Sequence, residues 1–521
     1  MSSEQFEKNT RTNTLLTLAS RITGLVRDGA MSRVFGAGSF ASAFYFAFLI
    51  PNLFRRLFAE GSMNSAFIPV VSGVREKVGK IEADQFFSKI FSMLIIFLFF
   101  FVILLEIFAP FVISLIAPGF SEDSLKKELT IDFARLTFPF LLFICATSLI
   151  GAYLNTLGKF ASMALTPVIL NLTIITCLMI FFKNTDQTDI TYYLSLSISI
   201  AGIIQLVWML YNLKRNKVSL SLFVFNKNRF RKPTNKFLKL LVPAILGNGV
   251  YQLNLLIDMI LASTLAHGSI SFLYYADRVN QLPLGVLGIA ISTALLPILS
   301  KYVKKNDNVN ITKSISSALK YGLLFSLPAF LGIFILSDEI VTLLFYRGQF
   351  DLFDVEQTSA ALVALSFGLP AFIMIKILVI PFFAREDTIT PIKVSLFSIS
   401  INLILNLLLI DEFKHVGLAI STSVAAWVNM IILISLLIRE KIKFEKDIIT
   451  FTIKIIISTV IMGGAIKLIS NIFEQNLINI GFFEIKNVRL IFVIFFAILT
   501  YFVSIYLLGI KDISLKKWSK K

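Results

Sequence analysis

The sequence predicts an all-α polytopic membrane protein with fourteen transmembrane helices. They form two six-helix lobes, related by a parallel pseudo-two-fold repeat, plus two appended helices. Three observations lead there: apolar runs of spanning length, the distribution of basic residues among the loops, and an internal repeat offset by about 228 residues.

The 521 residues are 56% hydrophobic with a mean hydropathy of +0.81, and 52 of them are phenylalanine. Soluble domains contain about 45–50% apolar residues. Crossing roughly 30 Å of hydrocarbon takes about 20 residues of helix. Runs of that kind occupy residues 13–35, 41–71, 88–117, 131–157, 161–182, 189–213, 237–265, 271–300, 314–336, 356–384, 389–410, 416–438, 449–471 and 488–510. The first is not a cleavable signal segment, because Arg21, Arg27 and Asp28 interrupt it. Cys145 and Cys177 both lie in apolar runs, which excludes a disulfide framework or a cysteine metal site. His267 and His415 fall in short loops and read as solvated residues rather than metal ligands.

Loop charge sets the orientation. With a cytoplasmic N-terminus, the inside segments hold 31 Lys and Arg and the outside segments six. The positive-inside rule requires that asymmetry, and both termini then lie in the cytoplasm. Much of the net charge of +17 sits in these loops, so it points to anionic lipid headgroups and not to nucleic acid. The densest block, 214–239, holds nine basic residues and no acid.

"SAFIPVVS" at 65–72 is repeated as "TALLPILS" at 293–300, and Pro139 and "LTP" at 165–167 find counterparts in Pro370 and "ITP" at 389–391. An offset near 228 spans six helices, an even number, so the copies share one orientation. The expected organisation is a first lobe at 1–213, a basic linker at 214–236, a second lobe at 237–438, and helices 13 and 14 with a basic tail at 439–521. Two lobes about a cleft suit alternating access.

Beyond the 37 basic residues of the loop segments, twelve more fall inside the spans, and six of these cluster in spans 1, 2 and 8: Arg21, Arg27, Arg33, Arg55, Arg56 and Arg278. Arg21 lies about 12 Å and Arg27 about 21 Å along the first span at ~1.5 Å per residue. A mid-membrane arginine costs at least about 2.5 kcal/mol, so such residues face a wet cavity or a partner. Asp28 shares a helix face with Arg21, and Glu60 lies one turn from Arg56. Arg33, near the outer end, reads as snorkelling, and Arg56 reads equally well as structural. Arg21, Arg27, Arg55 and Arg278 are too deep for that. A cleft lined by guanidiniums suits a phosphate-bearing cargo, because the planar fork binds phosphate oxygens bidentately.

Three segments carry a resemblance: "SRITGLVRDGAMSRVFGAG", "AFYFAFLIPNLFRRLFAEGSMNSAFIPVVS" and "YYADRVNQLPLGVLGIAISTALLPILS". They are similar to signature segments of the MurJ (also called MviN) family of lipid II flippases, in the multidrug/oligosaccharidyl-lipid/polysaccharide exporter superfamily. The resemblance extends over the whole chain. It implies transport of undecaprenyl-pyrophosphate-linked peptidoglycan precursor across the bacterial inner membrane, in cell-wall biogenesis and maintenance of cell shape. It also implies that Arg21, Arg27 with Asp28, Arg55 and Arg278 line the cavity and engage the cargo, with Arg56, Glu60 and Asp277 in support. Helices 13 and 14 resemble the pair that forms a groove for the lipid tail. The implied partners are lipid II, membrane lipids and proteins of cell-wall synthesis or division, with the transporter itself a monomer. Ser42 and Gln281 depart from acids that some relatives carry at those places.

No phosphate-loop motif is present, so a gradient is the expected energy source. It would be either a monovalent cation or the membrane potential, and no other cofactor is expected. Asp258, a lone acid in span 7, reads either as the cation site or as the partner of a buried base, and Lys376 and Lys393 would need acidic partners. No nucleophile–base set marks an enzyme. The alternatives are an exporter of another polyprenyl-linked saccharide or a multidrug/cation antiporter, which would want acids in the cleft. Topology is directly testable: cysteines placed near Asn226 and near Glu122 should react with an impermeant thiol reagent from opposite sides of the membrane. Labelling from one side would rule out the fourteen-span arrangement.

Overall fold

In the computed structural model, the residues described are 3–58, 62–182, 185–222, 230–440, 442, 444–445, 447–474 and 486–510. All regular structure among them is helical. Glu60 lies outside the described residues, so its expected pairing with Arg56 is not placed.

The helices follow the expected rods in order. The first rod is α1 (Ser3–Phe35), and the second is α2 (Ser39–Leu57) continued by α3 (Met63–Val78). Next come α4 (Lys80–Ile107) with α5 (Ala109–Ile116), then α6 (Ser124–Thr137) with α7 (Pro139–Thr156). The short α8 (Ala161–Ala164) leads into α9 (Thr166–Phe181), and α10 (Gln187–Arg215) ends the first six rods. Then follow α11 (Arg231–Ser263), α12 (Ser269–Pro283) with α13 (Ile289–Lys304), α14 (Asn308–Ile335) with α15 (Ser337–Phe345), and α16 (Leu352–Leu378) with α17 (Ile380–Ala384). The 51-residue α18 (Ile389–Arg439) is broken at Lys414, where φ 51° and ψ −130° leave the helical region, so it comprises two rods. Finally come α19 (Asp447–Glu474) and α20 (Lys486–Leu507). Counted this way, the rods fit the fourteen expected spans.

Nine helical stretches among the described residues are long and apolar enough to cross a membrane, with α18 counted as one. Arg21, Arg27, Asp28 and Arg33 stand on α1, Arg55 and Arg56 on α2, Asp258 on α11, and Asp277 and Arg278 on α12.

The repeat is visible inside the rods themselves. Between α2 and α3 the backbone is π-helical at Phe58 and Ser62, and between α12 and α13 a π-helical turn runs Leu284–Gly288. Pro69 and Pro297 then occupy matching positions in α3 and α13. A π turn shifts the register of the side chains that follow it and frees backbone groups, which makes it a place for a helix to bend.

By contact the chain forms two compact units, Met1–Ser271 with Arg347–Asp351, and Phe272–Tyr346 with Leu352–Lys521. Helix α11, which the repeat assigns to the second lobe, is packed in the first unit. Phe237 meets Phe67 edge-on at 5.8 Å, and Ser62 Oγ donates to the Ala244 carbonyl at 3.1 Å. At the far end, the Gly119 backbone lies so close to Ser263 that a Cβ would sit 2.0 Å from its carbonyl oxygen. The interior of the first unit is aromatic: Phe46, Phe67, Phe86, Phe87, Phe133 and Tyr153 are wholly buried. Each such side chain buries 150–250 Å², about 4–6 kcal/mol of transfer free energy in water at ~25 cal/mol per Å². In lipid the gain comes from close packing instead. A polar staple closes one end: buried Asp84 accepts from Tyr153 OH and from the Ser219 N–H at 3.2 Å, fixing the start of the basic linker.

In the second unit α19 and α20 pack on α14 through Ile455, Ile466 and Ile505, and Tyr501 OH donates to the Leu324 carbonyl. One expectation is overturned here. His415 is not a solvated loop residue: it is 4% exposed, its ring lies 5.2 Å from that of Phe272, and its Nε2 is 3.1 Å from the Gln357 carbonyl. The break at Lys414 turns the chain back on itself and carries the next side chain into the packing between rods.

Candidate functional site

The intramembrane charges are held in distinct local settings within the two units. In the first unit, α1 carries Arg21, Arg27 and Asp28. Arg21 is half-buried. Asp28, the carboxylate that sequence spacing offered to Arg21, holds Arg27, with Oδ1 accepting from Nε at 3.0 Å and Nη2 at 2.6 Å. Adjacent helical residues do not normally face each other. The long arginine stem folds back because a third group fixes its far end. Asn171 of α9 accepts from Arg27 Nη1 at 3.0 Å through Oδ1. Arg27 is 7% exposed and Asp28 2%.

Arg55 and Arg56 fall in the last turn of α2. Arg55 Nε donates to Asn52 Oδ1 at 3.0 Å, and both arginines are half-buried. Asp258 of α11 accepts from Asn254 Nδ2 at 3.1 Å. In the second unit, Arg278 of α12 donates from Nη2 to Tyr274 OH at 2.8 Å, and its guanidinium lies 4.7 Å from the Tyr274 ring centre. That combines a hydrogen bond with a cation–π contact from a single side chain. Asp277 accepts from Gln281 Nε2 one turn on. Lys376 of α16 packs its stem against Gly288 in the π turn, where a Cβ would meet it at 3.5 Å.

The residues marked by sequence therefore stand on α1, α2, α11 and α12, with local polar contacts among those that hold them. This arrangement presents guanidiniums inside membrane-spanning segments, with a carboxylate, amide oxygens and a tyrosine hydroxyl among their acceptors. It suits binding of an anion.

Comparison with known proteins accords with this geometry. The family model described as lipid II flippase MurJ matches residues 31–488. A probable lipid II flippase MurJ of Rickettsia prowazekii (strain Madrid E) is 39% identical over 496 residues, covering 95% of this chain and 96% of that relative. The chain belongs to the MurJ family. A solved structure of lipid II flippase MurJ in an inward closed conformation superposes with a TM-score of 0.79 at 29% identity, covering 94% of this chain and 97% of that one. An inward-facing multidrug resistance MATE family transporter of the MOP superfamily shares the fold, with a TM-score of 0.66 at 13% identity over 82% of this chain and 98% of its own.

Two positions where this MurJ-family chain departs from acids now have physical settings. Ser42 is fully buried, donates to the Gly38 carbonyl at 3.1 Å and lies 3.3 Å from Ser271 Oγ, a contact a larger carboxylate would disrupt. Gln281 uses its amide to satisfy Asp277, so an acid there would set two carboxylates together. Sequence reasoning missed Asn171. Its one signal is a lone amide inside the apolar run "TPVILNLTIITC". Gln281→Glu should destabilise the protein by about 1–3 kcal/mol, since a donor becomes a second anion. Thermal unfolding in detergent would show this as a lower Tm, and an unchanged Tm would mean that the Asp277–Gln281 contact is dispensable.

Proposed function

We propose that this chain flips lipid II, the undecaprenyl-pyrophosphate-linked disaccharide-peptide, from the inner to the outer leaflet of the bacterial cytoplasmic membrane by alternating access. It acts as a transporter and catalyses no covalent step. The observation that carries this is the set of guanidiniums within spanning rods, Arg21, Arg27, Arg55 and Arg278, at the positions of the family's motifs. Pyrophosphate is the part of the cargo that answers them, because its oxygens match the guanidinium fork and its charge offsets the cost of holding arginine in hydrocarbon. Asp28, Arg56 and Asp277 tune that positive field. The α19–α20 pair would hold the lipid tail.

Energy would come from a monovalent cation or from the membrane potential, which supplies about 2.3 kcal/mol per charge per 100 mV. Asp258, with the Asn254 amide beside it, is the candidate cation site. Both termini would lie in the cytoplasm, as loop charge requires. The protein would act as a monomer among membrane lipids, in contact with cell-wall synthesis or division proteins.

Complementation in a strain depleted of its own flippase provides the test, with lipid II assayed for accessibility on the outer leaflet. The chain should restore exposure of the precursor. Arg27→Lys and Arg278→Lys should each lower that exposure by about tenfold or more, because Lys keeps the charge and loses the fork. Restored drug resistance without precursor exposure would favour a multidrug exporter.

A further inference from the structure

The buried arginine of α1 is gripped from outside its own helix by a residue that no motif marks. Asn171 is 5% exposed and uses every polar atom it has. Its Oδ1 accepts from Arg27 Nη1 at 3.0 Å, and its Nδ2 donates to the Ser20 carbonyl at 3.0 Å and to Thr23 Oγ1 at 3.1 Å. The Thr23 hydroxyl spends its own proton on the Ala19 carbonyl at 2.9 Å, so toward Asn171 it is an acceptor. The amide therefore has one workable orientation. Flipped, it would set N–H against N–H at Arg27 and oxygen against two oxygens at α1.

We propose that Asn171 is the positioning residue for Arg27, and that with Asp28 it forms a storage cradle from which the cargo's pyrophosphate displaces the carboxylate. This rests on the flippase function proposed above. The Nε/Nη2 edge of a guanidinium is the edge that carboxylates and phosphates bind, and here a single oxygen, Asp28 Oδ1, takes both N–H groups. A pyrophosphate oxygen seeking that edge competes with Asp28. Asn171 holds the other terminal nitrogen without competing, because it is neutral. It keeps the fork aimed while the anion on the opposite edge changes from internal carboxylate to cargo. Returning Asp28 to the fork then drives release. Asp28 and Asn171 both bond Arg27, yet they act on cargo affinity in opposite directions, which a purely structural role would not produce.

The experiment uses the full-length protein and purified lipid II, with Kd measured in detergent and flipping rate measured in proteoliposomes. Asp28→Asn removes the competing charge and should bind lipid II about tenfold more tightly than wild type while flipping it more slowly. Asn171→Ala loosens the fork and should bind about tenfold more weakly. Asn171→Asp, nearly isosteric, adds a second competing carboxylate and should also bind more weakly. Thr23→Val removes only an anchor of Asn171 and should weaken binding by about threefold, which keeps the test informative if the Asn171 variants fold poorly. Kd shifts in the same direction for Asp28→Asn and for the Asn171 or Thr23 variants would overturn the cradle. Wild-type protein that neither binds nor flips lipid II would overturn the flippase function itself, and with it the cradle's role.

Discussion

The structure depends on how a guanidinium is kept inside a membrane-spanning helix. Arginine at a helix centre costs at least about 2.5 kcal/mol and cannot shed its proton. Arg27 avoids most of that cost by meeting an acid on one edge and an amide on another, with that amide tied to the backbone of the same helix. The same requirement sets the packing of α1 on α9: move either helix and a buried donor loses its acceptor. Arg278 meets the requirement differently, through the hydroxyl and the face of one tyrosine.

The two units are packed differently, through phenylalanines in the first and through the α14–α19–α20 cluster in the second. The charges marked by sequence stand on α1, α2, α11 and α12, and π-helical backbone occurs at matching points of the repeat, after α2 and after α12. A rod that must present charge and also bend is served by a register shift at such a point.

Most of the fold was legible because its signals are long. Spanning runs, basic loops and the repeat each extend over many residues, so errors of several residues at an end do not disturb them. Even the division of α18 was readable, since the polar stretch "DEFKH" separates two apolar runs. The side chains were less legible, because their partners lie far away in sequence. Spacing offered Asp28 to Arg21 and gave no sign of its bond to Arg27, whose far end is fixed by Asn171, 144 residues downstream. His415 looked solvated because its neighbours are charged, and only the tertiary turn at Lys414 shows the ring against Phe272. Helix α11 packed with the first unit for a similar reason: its aromatic contact with Phe67 is invisible to a repeat.

A guanidinium fork gripping the cargo's pyrophosphate is what the proposed transport depends on, and the lipid II affinity of an Arg27 series tests it most directly. Kd would be measured for the wild type, Arg27→Lys and Arg27→Ala. If the fork binds pyrophosphate, Arg27→Lys should weaken binding by about tenfold, close to the loss for Arg27→Ala, because Lys keeps the charge and loses the fork. Arg27→Lys with wild-type affinity would mean that charge alone suffices, and the fork mechanism would be wrong.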